Sequence, residues 1–360
     1  MTTTHEPETL DPQRIEEFAA RMFGTFSAGV LTLMIDLAHR TGLFAALADG
    51  PATSEELAHR GGLVERYARE CLGALVTGGV VDYEPATRRY TMPAEHAACL
   101  AGEGSLNVAP MSAFTTLLAH HVAEVARVSK EGGGVPYERY QPDFTAIMDD
   151  ASRGGFDGQL IDGLLPLVDG LSDRLRAGIA VADIGCGTGH AINLMAAAYP
   201  ASTFVGYDLL EESLRRGGDE AARLGLTNVR FESCDVAALP PDVLFDAVFA
   251  FDAIHDQVDP AAVLRAIRRV LPDGGVFVMV DINASSRLEN NMDHPIGPFL
   301  YGVSTLHCMT VSLAGGGAGL GAMWGRELAL TMLDDAGFGP VTVHDVPDDP
   351  FNLLYVAYAR

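Results

Sequence analysis

From residue 179 onward, short apolar strands alternate with helical segments. The strands read IAVADIG, STFVGYD, VRFESCD, FDAVFAFDAI and GGVFVMVDI, followed by VTVHDV and NLLYVAYAR. Strands that are apolar along their whole length must be covered on both faces, and only intervening helices can do that. Strand–helix alternation of this kind builds a parallel, doubly wound α/β sheet over residues 179–360. In such a sheet ligands lie beyond the carboxyl ends of the strands, so residues at those ends are the ones to inspect.

The chain before this region has a different texture. RIEEFAARMFGTFSAGVLTLMIDLAHRTGLFAAL carries apolar residues at helical spacing and reads as two helices. PATSEELAHRGG offers Thr53 or Ser54 as an N-cap and a glycine pair as a stop, and LVERYARECLGALVTGG is a third amphipathic helix. VVDYEPATRRYTM alternates and turns at Pro85, which predicts a hairpin. Three helices and a hairpin over residues 1–100 make a winged helix. Its third helix holds Arg66 and Arg69 but also Glu65 and Glu70, and residues 1–100 carry eight Lys/Arg against fourteen Asp/Glu. A dimerisation or capping module is therefore expected, not a DNA reader. Residues 101–178 read as a helical linker and substrate-capping region, broken by the loop KEGGGVPYERYQPDF, whose Tyr137, Tyr140 and Phe144 suit a pocket wall.

The formal net charge of −24 weighs against nucleic acid and anionic membrane as partners, because both are held through Lys and Arg. A small neutral or cationic molecule fits better. Five scattered cysteines suggest no disulfide framework, and no His or acidic spacing suggests a metal. No uninterrupted apolar run reaches the 18 residues of a membrane span, and the start, MTTTHEPETLDPQ, lacks a signal-peptide pattern. The expected location is the cytoplasm.

The first strand of the sheet runs into VADIGCGTGH, with Asp183, Gly185, Gly187 and Gly189. A dinucleotide fingerprint needs GxGxxG, but position 190 is His; a phosphate loop needs a Lys, and none is near. Asp208 closes the second strand 25 residues after Asp183, and Asp235 closes the third. An acid at the second strand end can accept hydrogen bonds from ribose hydroxyls.

This DxGxGxG loop, followed by GYD, SCDV and LPDGG (271–275), resembles the class I S-adenosylmethionine (SAM) dependent methyltransferases. The resemblance implies a Rossmann-like, seven-stranded sheet whose last strand is antiparallel, with SAM as cofactor and S-adenosylhomocysteine (SAH) as product. It assigns Asp183, Gly185, Gly187 and Gly189 to the methionine and ribose portions, Asp208 and Leu209 to the ribose, Asp235 and Val236 to the adenine, and Phe251 to the methionine end. FDAIHDQ resembles the LHDW segment of winged-helix small-molecule O-methyltransferases of plants and actinobacteria, which are dimers. There the His is the general base. The resemblance makes His255 the base with Asp256 beside it, Asp281 or Asp293 as further orienting acids, and a homodimer the expected state. Gln257 replaces the family's Trp. The long insert after the fifth strand offers Asn291, His294, Tyr301, Met309 and Trp324, with Tyr137, as candidate substrate-binding residues, and Gly315–Gly321 as a hinge. The expected reaction is O-methylation of a phenolic or aromatic acceptor. Alternatives are N- or C-methylation of an electron-rich ring such as an indole, a SAM-sensing winged-helix regulator, and a nicotinamide oxidoreductase.

Overall fold

The computed structural model describes residues 10–102, 106–240, 242–347 and 349–360. Most of the start read for a signal peptide, residues 1–9, lies outside the described residues. The chain forms two compact units, residues 1–116 and 117–360.

In the first unit, Asp11 caps the helix Pro12–Arg40, which Leu43–Ala48 follows. Thr53 caps Ser54–Gly61 in a reciprocal box with Glu56, and Glu65–Thr77 ends at Gly78. Strands β1 (Asp82–Glu84) and β2 (Arg89–Thr91) pair antiparallel as the wing. Leu43, Phe44, Leu47, Leu57, Leu72 and Leu75 form its core; each such side chain stabilises by about 1.5–3 kcal/mol when buried. One expectation is corrected here. Pro12–Arg40 is long and apolar enough, by length and composition, to cross a membrane. A search for an uninterrupted run overlooks it because Gly, Ser and Thr punctuate its apolar residues. Its apolar window is 0% buried, unlike a core helix, and a signal sequence near the N-terminus passes the same test.

The second unit carries a sheet of β3 (Ala180–Ile184), β4 (Thr203–Asp208), β5 (Val229–Ser233), β6 (Ala247–Phe251), β7 (Val276–Ile282), β8 (Phe338–Val346) and β9 (Asp349–Ala359). Their order is β5-β4-β3-β6-β7-β9-β8, with β9 antiparallel to both its neighbours and the other pairs parallel. The two-residue period of the strands sorts the core onto two faces. Ala182, Val248 and Phe277 pack on one side with the helices Pro260–Val270 and Gly325–Asp335. Val181, Phe249 and Val278 pack on the other with His190–Ala198 and the π-helical stretch Phe156–Leu164. Strand order reverses between β3 and β6, so a crevice opens at their carboxyl ends.

Candidate functional site

A cavity of about 660 Å³ occupies that crevice. Of the residues singled out in the sequence, Tyr137, Asp183, Gly185, Gly187, Asp208, Leu209, Asp235, Val236, Phe251 and Asp256 line it.

The glycine loop leaves β3 in left-handed turns, with φ of 69° at Gly185, 53° at Gly187 and 72° at Gly189. At Gly185 a Cβ would lie 2.6 Å from that of Ala253, whereas nothing lies within 4 Å at Gly187. Gly189 does not line the cavity. A Cβ there would meet the Phe231 ring at 2.3 Å, so its bareness serves packing.

Asp208 Oδ2 accepts from the Gly187 amide and Oδ1 from that of Leu210, both at 2.9 Å. Burial raises its pKa, partly offset by these N–H donors. Asp183 is 1% exposed, and its Oδ1 has no partner. Burial, and then the charge of Asp208, push it well above the usual carboxylate range. Asp235 Oδ1 accepts from Ala237 at 3.0 Å and caps the short turn Val236–Ala238. Phe251, at the end of β6, meets Phe156 edge-on at 5.1 Å.

Next along the chain, Asp252 holds φ +50°, a strained conformation for a side chain with a Cβ. Burial and the neighbouring Asp281 raise its carboxyl to about 7, against the pull of His255. His255 is 4% exposed and is absent from the cavity lining. Its Nδ1 donates to Asp281 Oδ1 at 2.8 Å, and the same oxygen accepts from Trp324 Nε1 at 3.0 Å and the Ile282 amide at 2.8 Å. Burial lowers the imidazole's pKa, but the Asp281 charge outweighs it and holds the ring well above its ordinary value. The residue that orients His255 is thus Asp281. Asp256 instead lines the cavity, raised to about 6 by burial, against the pull of His255. Donor atoms of Asp252, His255 and Asp281 lie within 4.8 Å of one another, a convergence that linear spacing could not reveal.

The candidates from the long insert do not line the cavity. Asn291 bonds Ser285 and Tyr301, His294 bonds the Asn283 carbonyl, and Tyr301 packs against the small cluster of Ala284, Leu300 and Met323. Trp324 supports Asp281. Met309 starts the helix Met309–Ala314, whose Val311 and Ala314 reach the cavity in its place. Gly315 lines it too.

Several cavity residues carried no motif, among them Met148, Asp149, Ser152 and Phe156, while Phe144, expected in a pocket wall, and Thr188, inside the glycine loop, line it too. Behind Phe144 lies His307, fully buried, stacked on that ring at 3.6 Å, with both ring nitrogens unpartnered. Burial pushes its pKa down to about 3. Among the described residues, no Lys or Arg lines the cavity.

Residues 175–323 match the protein family described as "Methyltransferase domain", and residues 29–102 match the Rv2258c-like winged HTH domain. Behind a winged HTH domain, the chain carries a methyltransferase domain. That domain is similar to the 27-O-demethylrifamycin SV methyltransferase of Amycolatopsis mediterranei (strain S699), at 33% identity over 144 residues, 39% of this chain and 49% of that protein. The chain thus spans about half the length of the relatives it matches in sequence. Two solved structures share the fold of this chain. Mitomycin 7-O-methyltransferase MmcR has a TM-score of 0.69 at 18% identity, covering 96% of this chain and 98% of that one. PigF with SAH has a TM-score of 0.68 at 21% identity, covering 97% and 100%.

Proposed function

We propose that this chain transfers a methyl group from SAM to the oxygen of a small phenolic or aromatic acceptor and releases SAH. The observation that carries the reading is the convergence of Asp183, Gly187, Asp208 and Asp235 on one cavity at the carboxyl ends of adjacent strands. The residues fit the cofactor. The unpartnered Asp183 oxygen suits an ammonium group, the open Gly187 admits a ligand against the backbone, and the exposed Asp235 is free to meet an adenine edge. Asp183 with the glycine loop would hold the amino-acid end, Asp208 and Leu209 the ribose, Asp235 and Val236 the adenine, and Phe251 the methionine end. Two of the proteins named above are by name a 27-O-demethylrifamycin SV methyltransferase and a mitomycin 7-O-methyltransferase, and the third, PigF, is described with SAH.

Bound SAM supplies a methyl made electrophilic by its sulfonium. The chain's own task is to exclude water, align the acceptor and take its proton. His255, fixed by Asp281 through Nδ1, would offer Nε2 for that proton only at pH values above its raised pKa, where the ring is neutral. A second reading has its own support: Asp256 already lines the cavity, and a carboxyl raised to about 6 is a competent base near neutral pH. The two differ in pH profile. Base action by Asp256 gives an activity limb near pH 6 that Asp256→Asn removes, and base action by His255 gives a limb lost in His255→Ala. With no Lys or Arg among the described residues of the wall, the favoured acceptor is neutral or cationic, not a carboxylate.

We also propose a homodimer formed through the helix Pro12–Arg40, whose Phe23, Phe26 and Val30 are 74%, 65% and 59% exposed. A SAM-sensing regulator is the weaker reading, because Arg66 pairs with Glu70 and Arg69 with Glu65 on the helix that would enter DNA. Calorimetry with SAM, SAH and NAD tests the core of the proposal: heat with the first two and none with NAD is expected, and the reverse would sink it. Incubation with methyl-labelled SAM and a panel of phenols, amines and indoles, read by mass spectrometry and NMR, separates O-, N- and C-transfer.

A further inference from the structure

The helix Asp143–Gly155 contributes Phe144, Thr145, Met148, Asp149 and Ser152 to the cavity wall, and Phe156 follows directly at the start of the π-helical stretch. One side chain ties this helix to the glycine loop. Asp149 Oδ1 accepts from Thr188 Oγ1 at 2.7 Å and from Arg153 Nη2 at 2.8 Å, while Oδ2 accepts from Arg216 Nη2 at 3.0 Å. Arg153 extends the connection. Its Nη1 donates to Glu220 Oε1 at 2.8 Å and to His190 Nδ1 at 2.7 Å. His190 Nε2 then donates to Asp157 at 2.9 Å, and Asn193 donates to Glu220 at 3.2 Å.

The network joins four stretches: the helix Asp143–Gly155, the π-helical stretch, the glycine loop with its following helix, and the helix Glu211–Arg223. Isolated surface ion pairs contribute little. Here the Asp149 and Glu220 side chains are only 10% and 9% exposed, and each accepts from several donors. A shared, shielded set of charge-assisted hydrogen bonds holds geometry far better than a single exposed pair.

Thr188 is the point of contact with the loop, between Gly187 and Gly189. Glycines allow a left-handed turn but do nothing to hold it. Backbone bonds from Cys186 to the Tyr207 carbonyl and from Gly189 to the Cys186 carbonyl shape it, and two side chains add to them: Asp208 grips the Gly187 amide from the strand side, and Asp149 grips the Thr188 hydroxyl from the helix side. We infer that Asp149 is a cofactor-positioning residue, which clamps the glycine loop through Thr188 and couples the loop's shape to the helix that lines the same cavity. This rests on the SAM reading given above.

Calorimetry with SAH on the full chain tests it. Thr188→Val and Asp149→Ala are each expected to weaken SAH by about tenfold, the scale of one charge-assisted hydrogen bond. Because both remove the same contact, the double variant is expected to be at most about threefold worse than the weaker single one. Thr188→Ser keeps the hydroxyl and recovers most of the loss. A purely structural role would lower the melting temperature while leaving SAH affinity unchanged, and that result overturns the inference, as do additive effects. Hydrogen–deuterium exchange of the wild-type chain gives a test that needs no variant. SAH is expected to protect amides in 143–157 together with those in 185–189, and protection confined to the strand ends overturns it. Absence of SAH binding by the wild type overturns the SAM reading and this inference together; intact wild-type binding with unaffected variants overturns this inference alone.

Discussion

Trp324 and Asp281, 43 residues apart in the chain, are joined by a 3.0 Å hydrogen bond from the indole Nε1 to the carboxylate oxygen that also holds His255. The acid therefore has a fixed direction before any acceptor arrives. Its second oxygen, Oδ2, is buried without a partner. An orphaned carboxylate oxygen in a dry site costs stability, and the arrangement persists because the imidazole and indole over-determine Oδ1.

Asp281→Asn removes the charge that keeps the His255 pKa high, so that burial prevails and the ring titrates lower. NMR titration of the His255 imidazole is the check. Trp324→Phe keeps the charge but frees its orientation, and a loss of about tenfold in methylation rate is expected, on the scale of one hydrogen bond. SAH affinity should be unaffected in both variants, because neither residue lines the cavity. A large change in SAH binding would count against the separation of the two roles.

The raised groups set a pH dependence of one sign. His255 is held well above its ordinary pKa, so its stabilising charge is fully present below about pH 6.5 and is lost as pH rises through the higher folded value. Asp252 and Asp256 are raised to about 7 and about 6, so between about pH 4 and those values the folded chain binds protons that the unfolded chain releases. All three make stability fall as pH rises. The melting temperature of the ligand-free protein is expected to decline from pH 5 to pH 8, and Asp252→Asn should flatten the decline. A rising curve would contradict the charges assigned here.

Gly185→Ala and Gly187→Ala should differ. Both place a side chain in a left-handed turn, at a cost of about 1–2 kcal/mol. Only Gly185 adds a collision, with Ala253, for roughly a further 1–3 kcal/mol. Urea unfolding should therefore rank Gly185→Ala as the more damaging change, and equal losses would count against the described loop.

For the proposed homodimer, light scattering on the eluting protein should give twice the chain mass, and Phe23→Glu with Phe26→Glu should give a single chain mass. A wild-type monomer would remove the proposal.

Much of the cavity wall at the strand ends was legible, because an apolar run, a glycine turn and an acid fall there within a few positions. Asp208 and Asp235 were placed on that wall in this way. The dyad was harder. His255 follows β6 and Asp281 lies in β7, and only strand adjacency brings them together, so Asp281 stood beside Asp293 as a candidate while Asp256, the sequence neighbour, was named first. Asp149 carries no motif, since its partners Thr188 and Arg216 lie 39 and 67 residues away. The long insert misled because its polar and aromatic residues satisfy one another around Ala284, Leu300 and Met323, which composition cannot distinguish from a pocket wall.

Arg66 and Arg69 spend their guanidinium groups on glutamates of their own helix. Few condensed counterions would be liberated if such a helix approached a polyanion, so the entropic gain behind groove binding is largely missing. The winged unit keeps the outline of a nucleic-acid reader, while both arginines of this helix sit beside glutamates of the same helix.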